Sequence, residues 1–176
     1  IPEGLYNTDT KKLALSDTVR VYLQINTSPF NIADSAVSVL DSVNFTASFE
    51  FPDAPDGTYY IEVKHRNSIS TWSRAGGESF SAHTVMQYDF TSSQEKAFGN
   101  NMKQVDSEPL LFGIYAGDVN QEGLVDLTDL ILIHNDVSNF INGYVNTDIN
   151  GDDITDLNDI ILAYNNSANF AEKIVP

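Results

Sequence analysis

Two twelve-residue stretches constrain this chain more than anything else in it. DVNQEGLVDLTD runs from Asp118 to Asp129, DINGDDITDLND runs from Asp148 to Asp159, and they begin thirty residues apart. Each carries oxygen-bearing side chains at positions one, three, five, nine and twelve. Calcium takes six to eight oxygens at about 2.3–2.6 Å from a flexible loop, and this spacing serves it. In the first loop Asp118, Asn120 and Glu122 supply side-chain oxygens, Leu124 a backbone carbonyl, Asp126 a direct or water-mediated contact, and Asp129 the closing carboxylate. Asp148, Asn150, Asp152, Ile154, Asp156 and Asp159 repeat the set, so two calcium ions are expected. Position six requires a positive φ, met by Gly123 in one loop and by Asp153, one of the few tolerant side chains, in the other. Val125 and Thr155 at position eight are expected to pair their backbones and join the loops. The competing reading is two Asx-rich turns that only cap helices. Recurrence in one register favours ligands.

After each loop the hydrophobic period becomes helical. Leu127, Leu130, Ile131 and His134 fall at i, i+3, i+4 and i+7, and Leu157, Ile160, Ile161 and Tyr164 repeat that spacing. The apolar runs at Leu130–Ile133 and Ile160–Ala163 extend beyond one stripe, so some apolar surface needs a further partner. Aligning Asp118 on Asp148 also superposes Asn135 on Asn165 and the Asn-Phe pair at 139 on that at 169. The unit is loop then helix, duplicated. At these residues the chain resembles a type I dockerin, whose loops follow D-x-N-x-D-G-x-x-D-x-x-D; the likeness covers about Tyr115 to Pro176. Glu122 at position five and Asp153 at position six depart from that pattern. The resemblance implies docking on a cohesin-like receptor through loop positions ten and eleven, here Leu127 and Thr128, then Leu157 and Asn158. Neither helix carries the basic residues of the best-known cohesin binders. Taken with GTYYIEVKHRNSISTWS, YDF and AFGNN, the whole chain looks like a C-terminal module of secreted proteins from Bacteroidetes-type bacteria, a β-sandwich followed by a dockerin-like pair.

From Leu13 to Phe90 the period is two. Val19, Val21, Leu23 and Ile25 alternate with polar neighbours, as do Val43, Phe45, Ala47, Phe49 and Phe51; Met86, Tyr88 and Phe90 mark another strand. The PDAPDG turn at Pro52–Gly57 leads into Tyr59, Ile61, Val63 and His65. A mainly β fold with a small α part follows: an immunoglobulin-like or transthyretin-like sandwich over residues 1–112, then the dockerin-like domain over 113–176. Thr91 to Pro109 is polar and unpatterned.

Composition narrows the partners. A charge of −16, from 25 acidic against 9 basic residues, repels nucleic acid and anionic lipid. No apolar run is long enough to cross a membrane. Without cysteine there is no disulfide, thiolate site or cysteine nucleophile. His65, His83 and His134 form no H-E-x-x-H and no serine elbow is present, so no enzyme is expected. The expectation is a secreted, calcium-binding structural module that mediates protein attachment or self-assembly into a fibre, with neighbouring copies or a cohesin-like receptor as partners. The alternative is a carbohydrate-binding module using Trp72 and nearby tyrosines, drawn from the basic and aromatic cluster KHRNSISTWSR. A lone tryptophan after a strand is more often a buried plug.

Overall fold

The computed structural model describes residues 1–176 as a mainly β, antiparallel fold with two helices near its C-terminus. Its centre is a five-stranded sheet in the order β4-β3-β5-β6, with β7 also pairing to β5. β3 is Asp17–Ile25, β4 Ile32–Leu40, β5 Gly57–His65, β6 Thr71–Trp72 and β7 Glu78–Phe80. Alternation in β3 turns Val19, Val21 and Leu23 to the core, and β5 opposes them with Val63 across from Val21 and Ile61 across from Leu23. Two short hairpins flank this sheet: β1 (Tyr6–Asn7) with β2 (Lys12–Leu13), and β8 (Lys103–Ser107) with β9 (Leu110–Gly113). β8 lies inside the stretch expected to be unpatterned. Its sequence, KQVDS, has one apolar residue, and its pairing with β9 holds it as a strand. No helix is long and apolar enough to cross a membrane.

Of the segments at 43–51 and 86–90, expected as strands, 45–51 and 86–90 show the expected burial alternation, Val43 is 50% exposed in the turn after β4, and neither segment forms a ladder. Phe45, Ala47, Phe49 and Phe51 turn inward while Thr46, Ser48 and Glu50 face solvent, and Met86, Tyr88 and Phe90 likewise alternate with Gln87 and Asp89. Periodicity in sequence sets which face is apolar; a ladder also needs repeated backbone hydrogen bonds, and segment 46–53 is tied to the β4 side only at its ends, by Asp41 N to Thr46 O at 2.9 Å and Asp53 N to the Asp34 carboxylate at 2.9 Å.

α1 (Leu127–Ser138) and α2 (Leu157–Ala168) each follow one of the twelve-residue loops. Their inner surfaces form one core with Ile69, Ala116, Val119, Val125, Ile149 and Ala171. Ile69 comes from the β part, in the run Arg66–Ser70 that leaves β5 and enters the loop region. There Ile69 donates its N–H to Tyr115 O at 2.8 Å, Gly117 N–H donates to Asn67 O at 2.7 Å, and the Asn67 side-chain amide donates to Asp148 O at 3.0 Å. Arg66 reaches Val145 O through Nη1, Asp17 through Nε at 3.0 Å, and stacks 4.6 Å from the centre of the Tyr144 ring.

Asp17 ties this junction together. It accepts hydrogen bonds from His65 Nε2, Arg66 Nε and the Tyr144 hydroxyl. Burial opposes its charge, but His65, Tyr144 and Arg66 outweigh it and hold the carboxyl well below its usual range. Burial keeps His65 neutral, so its Nε2–H donates to Asp17 and its Nδ1 accepts from Ser68. Both groups have depressed folded values, so each contributes stability above its unfolded value that is lost as the pH falls. The loss starts below 6.5 for His65 and below 3.8 for Asp17. Asp17→Ala leaves Arg66 buried without its carboxylate and should cost about 3–5 kcal/mol by denaturant titration. It should also flatten the acid limb of the parent's stability profile.

Candidate metal centre

The two loops are built alike, and position twelve shows how. Asp129 and Asp159 are both fully buried. Asp129 accepts from Val119 N at 2.9 Å, Asn120 N at 3.3 Å and Asp126 N at 3.0 Å. Asp159 accepts from Ile149 N at 2.7 Å, Asn150 N at 3.1 Å and Asp156 N at 2.9 Å. Each carboxylate thus binds the entry of its loop to the exit. Position nine caps the helix: Asp126 accepts from Thr128 N at 2.6 Å and Asp156 from Asn158 N at 2.7 Å, completing a capping box with position twelve. Capping and ligation are therefore not exclusive at these positions.

Position six has positive φ in both loops, 93° at Gly123 and 66° at Asp153. Position four does as well, 62° at Gln121 and 76° at Gly151, a requirement that Gln121 hides in the sequence. The carbonyl oxygens of Leu124 and Ile154 at position seven accept no hydrogen bond within the protein. Val125 and Thr155 do not pair with each other. Val125 N donates to Ala171 O at 2.9 Å and Thr155 N to Ile141 O at 3.3 Å. Each loop is clasped by the segment that follows the other repeat's helix. Lys173 N to Gly123 O at 2.7 Å and Gly143 N to Asp153 O at 2.8 Å complete the exchange.

The first loop is the more open to a cation. Asp118 is 2% exposed; its Oδ2 accepts from Gly123 N at 3.0 Å, while its Oδ1 is buried with no partner. Glu122, Asp126 and Asp129 each present a carboxylate oxygen within 4.8 Å of the others. Oxygens on opposite sides of one calcium lie about 4.6–5.2 Å apart, twice the bond length, so that spread fits a single ion. In the second loop Asp148 is satisfied by Gly151 N at 2.9 Å, Asp152 N at 3.2 Å and Asp153 N at 3.3 Å, and Arg66 Nη2 lies 3.9 Å from its Oδ2. Asn120 and Asn150 donate to Glu122 at 2.9 Å and Asp152 at 3.0 Å, which keeps positions three and five together. Burial raises all four inner carboxyls, Asp118 to about 6 with help from the Asp129 charge, and Asp129, Asp148 and Asp159 above their usual range. A bound cation removes that penalty.

The buried acids also set which helix face turns inward. With Asp129 inward, Ile133 follows one turn later; with Asp159 inward, Ala163 and Asn166 follow. Of the stripes picked out by apolar spacing, Leu130 and Ile160 pack partly buried on this core, while Leu127, Ile131, His134, Leu157, Ile161 and Tyr164 face solvent. Leu127 is 67% exposed and Leu157 63%. Asn166, missed in the sequence, is fully buried and donates to Glu3 Oε2 at 2.7 Å and Ala116 O at 2.8 Å. Its repeat partner Asp136, accepting from Thr147 at 2.6 Å, is the signal that would have found it. Trp72 is 5% exposed beneath Phe30, Tyr60 and Lys173, so it offers no stacking platform. Comparison with protein-family models, curated proteins and solved structures finds no match.

Ile133→Ala should cost about 2–5 kcal/mol by thermal or denaturant melting, as expected for a buried aliphatic side chain. Leu127→Ser should change the same melting by no more than about 0.5 kcal/mol.

Proposed function

We propose that this chain is a secreted, calcium-binding structural module, a β-sandwich over residues 1–112 joined to a dockerin-like tandem over 113–176. Its work is protein attachment or self-assembly into an extracellular fibre or surface structure. The observation that carries the calcium reading is the unpartnered, buried Oδ1 of Asp118, in a loop whose position-seven carbonyl is free and whose Glu122, Asp126 and Asp129 carboxylates converge. Asp118, Asn120, Glu122, Leu124, Asp126 and Asp129 would hold one ion; Asp148, Asn150, Asp152, Ile154, Asp156 and Asp159 the other. Calcium would supply the positive charge that four carboxylates per loop otherwise lack, coupling binding to folding. Two ions carry four charges and would bring −16 to −12.

The assembly reading rests on the exposed helix faces. Leu127, Leu130, Ile131, His134, Ile160 and Tyr164 line one recess between α1 and α2, and Phe140 and Phe170, each just past the end of a helix, are 84% and 83% exposed. Both phenylalanines also adopt a φ of 54°, an uncommon conformation for a bulky side chain. Contiguous apolar surface of this kind marks interaction sites.

Calorimetric titration of chelator-treated protein tests the metal reading. Two ions per chain are expected, the first loop filling more tightly because Arg66 already places positive charge beside Asp148. No heat and no change in melting would overturn it. Asp118→Ala should lower the melting transition in calcium and leave it unchanged in chelator. The lost stabilisation is about 2.7 kcal/mol at a calcium level one hundred times the dissociation constant.

A further inference from the structure

Glu3, Lys103 and Asn166 come from three separate parts of the chain and meet at one point. Glu3 lies in the 3-10 turn Glu3–Leu5, Lys103 opens β8, and Asn166 sits in the last turn of α2. Lys103 Nζ donates to Glu3 Oε1, and also to Asn166 Oδ1 at 2.9 Å. Asn166 Nδ2 donates to Glu3 Oε2 at 2.7 Å, which closes a ring of amine, amide and carboxylate. Two bonds to the backbone of Ala116 hold the ring in place: Asn166 Nδ2 to Ala116 O at 2.8 Å, and Ala116 N to Glu3 Oε2 at 3.2 Å. Asn166 is fully buried, Glu3 nearly so, and the Lys103 side chain is about two-thirds buried. Gly113 is the β9 partner of Lys103. A side chain there would come within 2.9 Å of Ile1 O and 3.4 Å of Glu3 Cα, so glycine lets the Glu3 turn lie against the hairpin.

An ion pair alone would account for Lys103 and Glu3, but not for Asn166. Its counterpart in the first repeat is Asp136, whose carboxylate accepts from the Thr147 hydroxyl. The repeat therefore does not call for a buried amide at this position; the amide occurs where a lysine amine reaches it. An amine, an amide carbonyl and a carboxyl that touches both are the parts of a transamidation. We propose that Lys103 and Asn166 join through an intramolecular isopeptide bond, with Glu3 as the proton carrier. A proton passes from Nζ to the Glu3 carboxylate, which frees the amine lone pair. The amine attacks Asn166 Cγ, the Nζ–Cγ bond forms, and the Cγ–Nδ2 bond breaks as Glu3 protonates the leaving nitrogen. The lysine ammonium and asparagine amide become one secondary amide and one ammonium ion; two protons pass from Nζ to the departing nitrogen, and Glu3 ends as the carboxylate it began. Placement supplies what an unactivated amide lacks, since well-oriented intramolecular reactions reach effective molarities of about 10⁵–10⁸ M. The bond closes a loop spanning 63 residues and locks the β part onto α2, in a chain with no cysteine for a disulfide. It stands independently of the cation and assembly readings.

The intact mass of the folded protein, kept in calcium and then denatured for mass spectrometry, tests it. The parent should be lighter than its sequence by one ammonia, and proteolysis should release a branched peptide joining Lys103 to Asn166. Lys103→Arg keeps the positive charge without the nucleophile, and Glu3→Gln keeps the shape without the proton carrier; both should retain the full mass. On a denaturing gel the parent should run faster than Lys103→Arg, because its closed loop survives unfolding. A parent that keeps its full mass after prolonged incubation at neutral pH would overturn the inference, a result that needs no variant to fold. So would loss of ammonia with Lys103 still free to an amine reagent and Asn166 closed to a cyclic imide on its own backbone. A branched peptide formed equally well in Glu3→Gln would overturn the role of Glu3.

Discussion

Four carboxylates, at positions one and twelve of both loops, are taken almost wholly out of water, and the geometry of the C-terminal third depends on that burial. Asp118, Asp129, Asp148 and Asp159 are each 2% exposed or less. A charge so placed is tolerated only when hydrogen bonds and an opposite charge replace its hydration. The backbone N–H groups of the loops supply the first part, and they satisfy Asp129, Asp148 and Asp159 more fully than Asp118. Because position twelve is also the third residue of the helix, burying it fixes the helix rotation. Leu127, Ile131, Leu157 and Ile161 then turn outward, and the loops' demand for buried acid creates the exposed helix faces.

The two repeats are interlocked, not merely adjacent. Ala171 and Lys173, after the second helix, clasp the first loop; Ile141 and Gly143, after the first helix, clasp the second. Loss of either loop therefore loosens the other's clasp. The β part is wired into the same unit through Arg66–Ser70, with Ile69 in the helical core and Asp17 anchoring Arg66, His65 and Tyr144. The C-terminal segment returns to the sheet, where Lys173 lies 3.4 Å from Glu62 and 5.9 Å from the centre of the Trp72 ring.

Much of this is legible in the residues themselves. The two loops, their following helices, the positive φ at position six and the alternating strands β3 and β5 all follow from local spacing, which acts over a few residues. What is not legible depends on partners far along the chain. Val125 and Thr155 are alike in position, but nothing local shows that their hydrogen bonds go to Ala171 and Ile141. The outward turn of Leu127 and Ile131 runs against apolar periodicity, because a buried carboxylate outranks it in setting the helix face. Phe49 and Tyr88 read as strand residues and behave as such in burial. Whether backbone hydrogen bonds join them to a neighbour as a ladder is invisible to a periodicity. Trp72 reads equally as a platform or a plug, and only packing against Phe30 and Tyr60 decides for the plug.

The central claim is that the twin loops are cation sites, and crystals grown with calcium test it most directly. An anomalous-difference map should show two peaks per chain, one about 2.3–2.6 Å from Asp118 Oδ1 and one at the same position relative to Asp148. A map with no peak at either loop, in a chain whose loops keep their buried carboxylates, would contradict it.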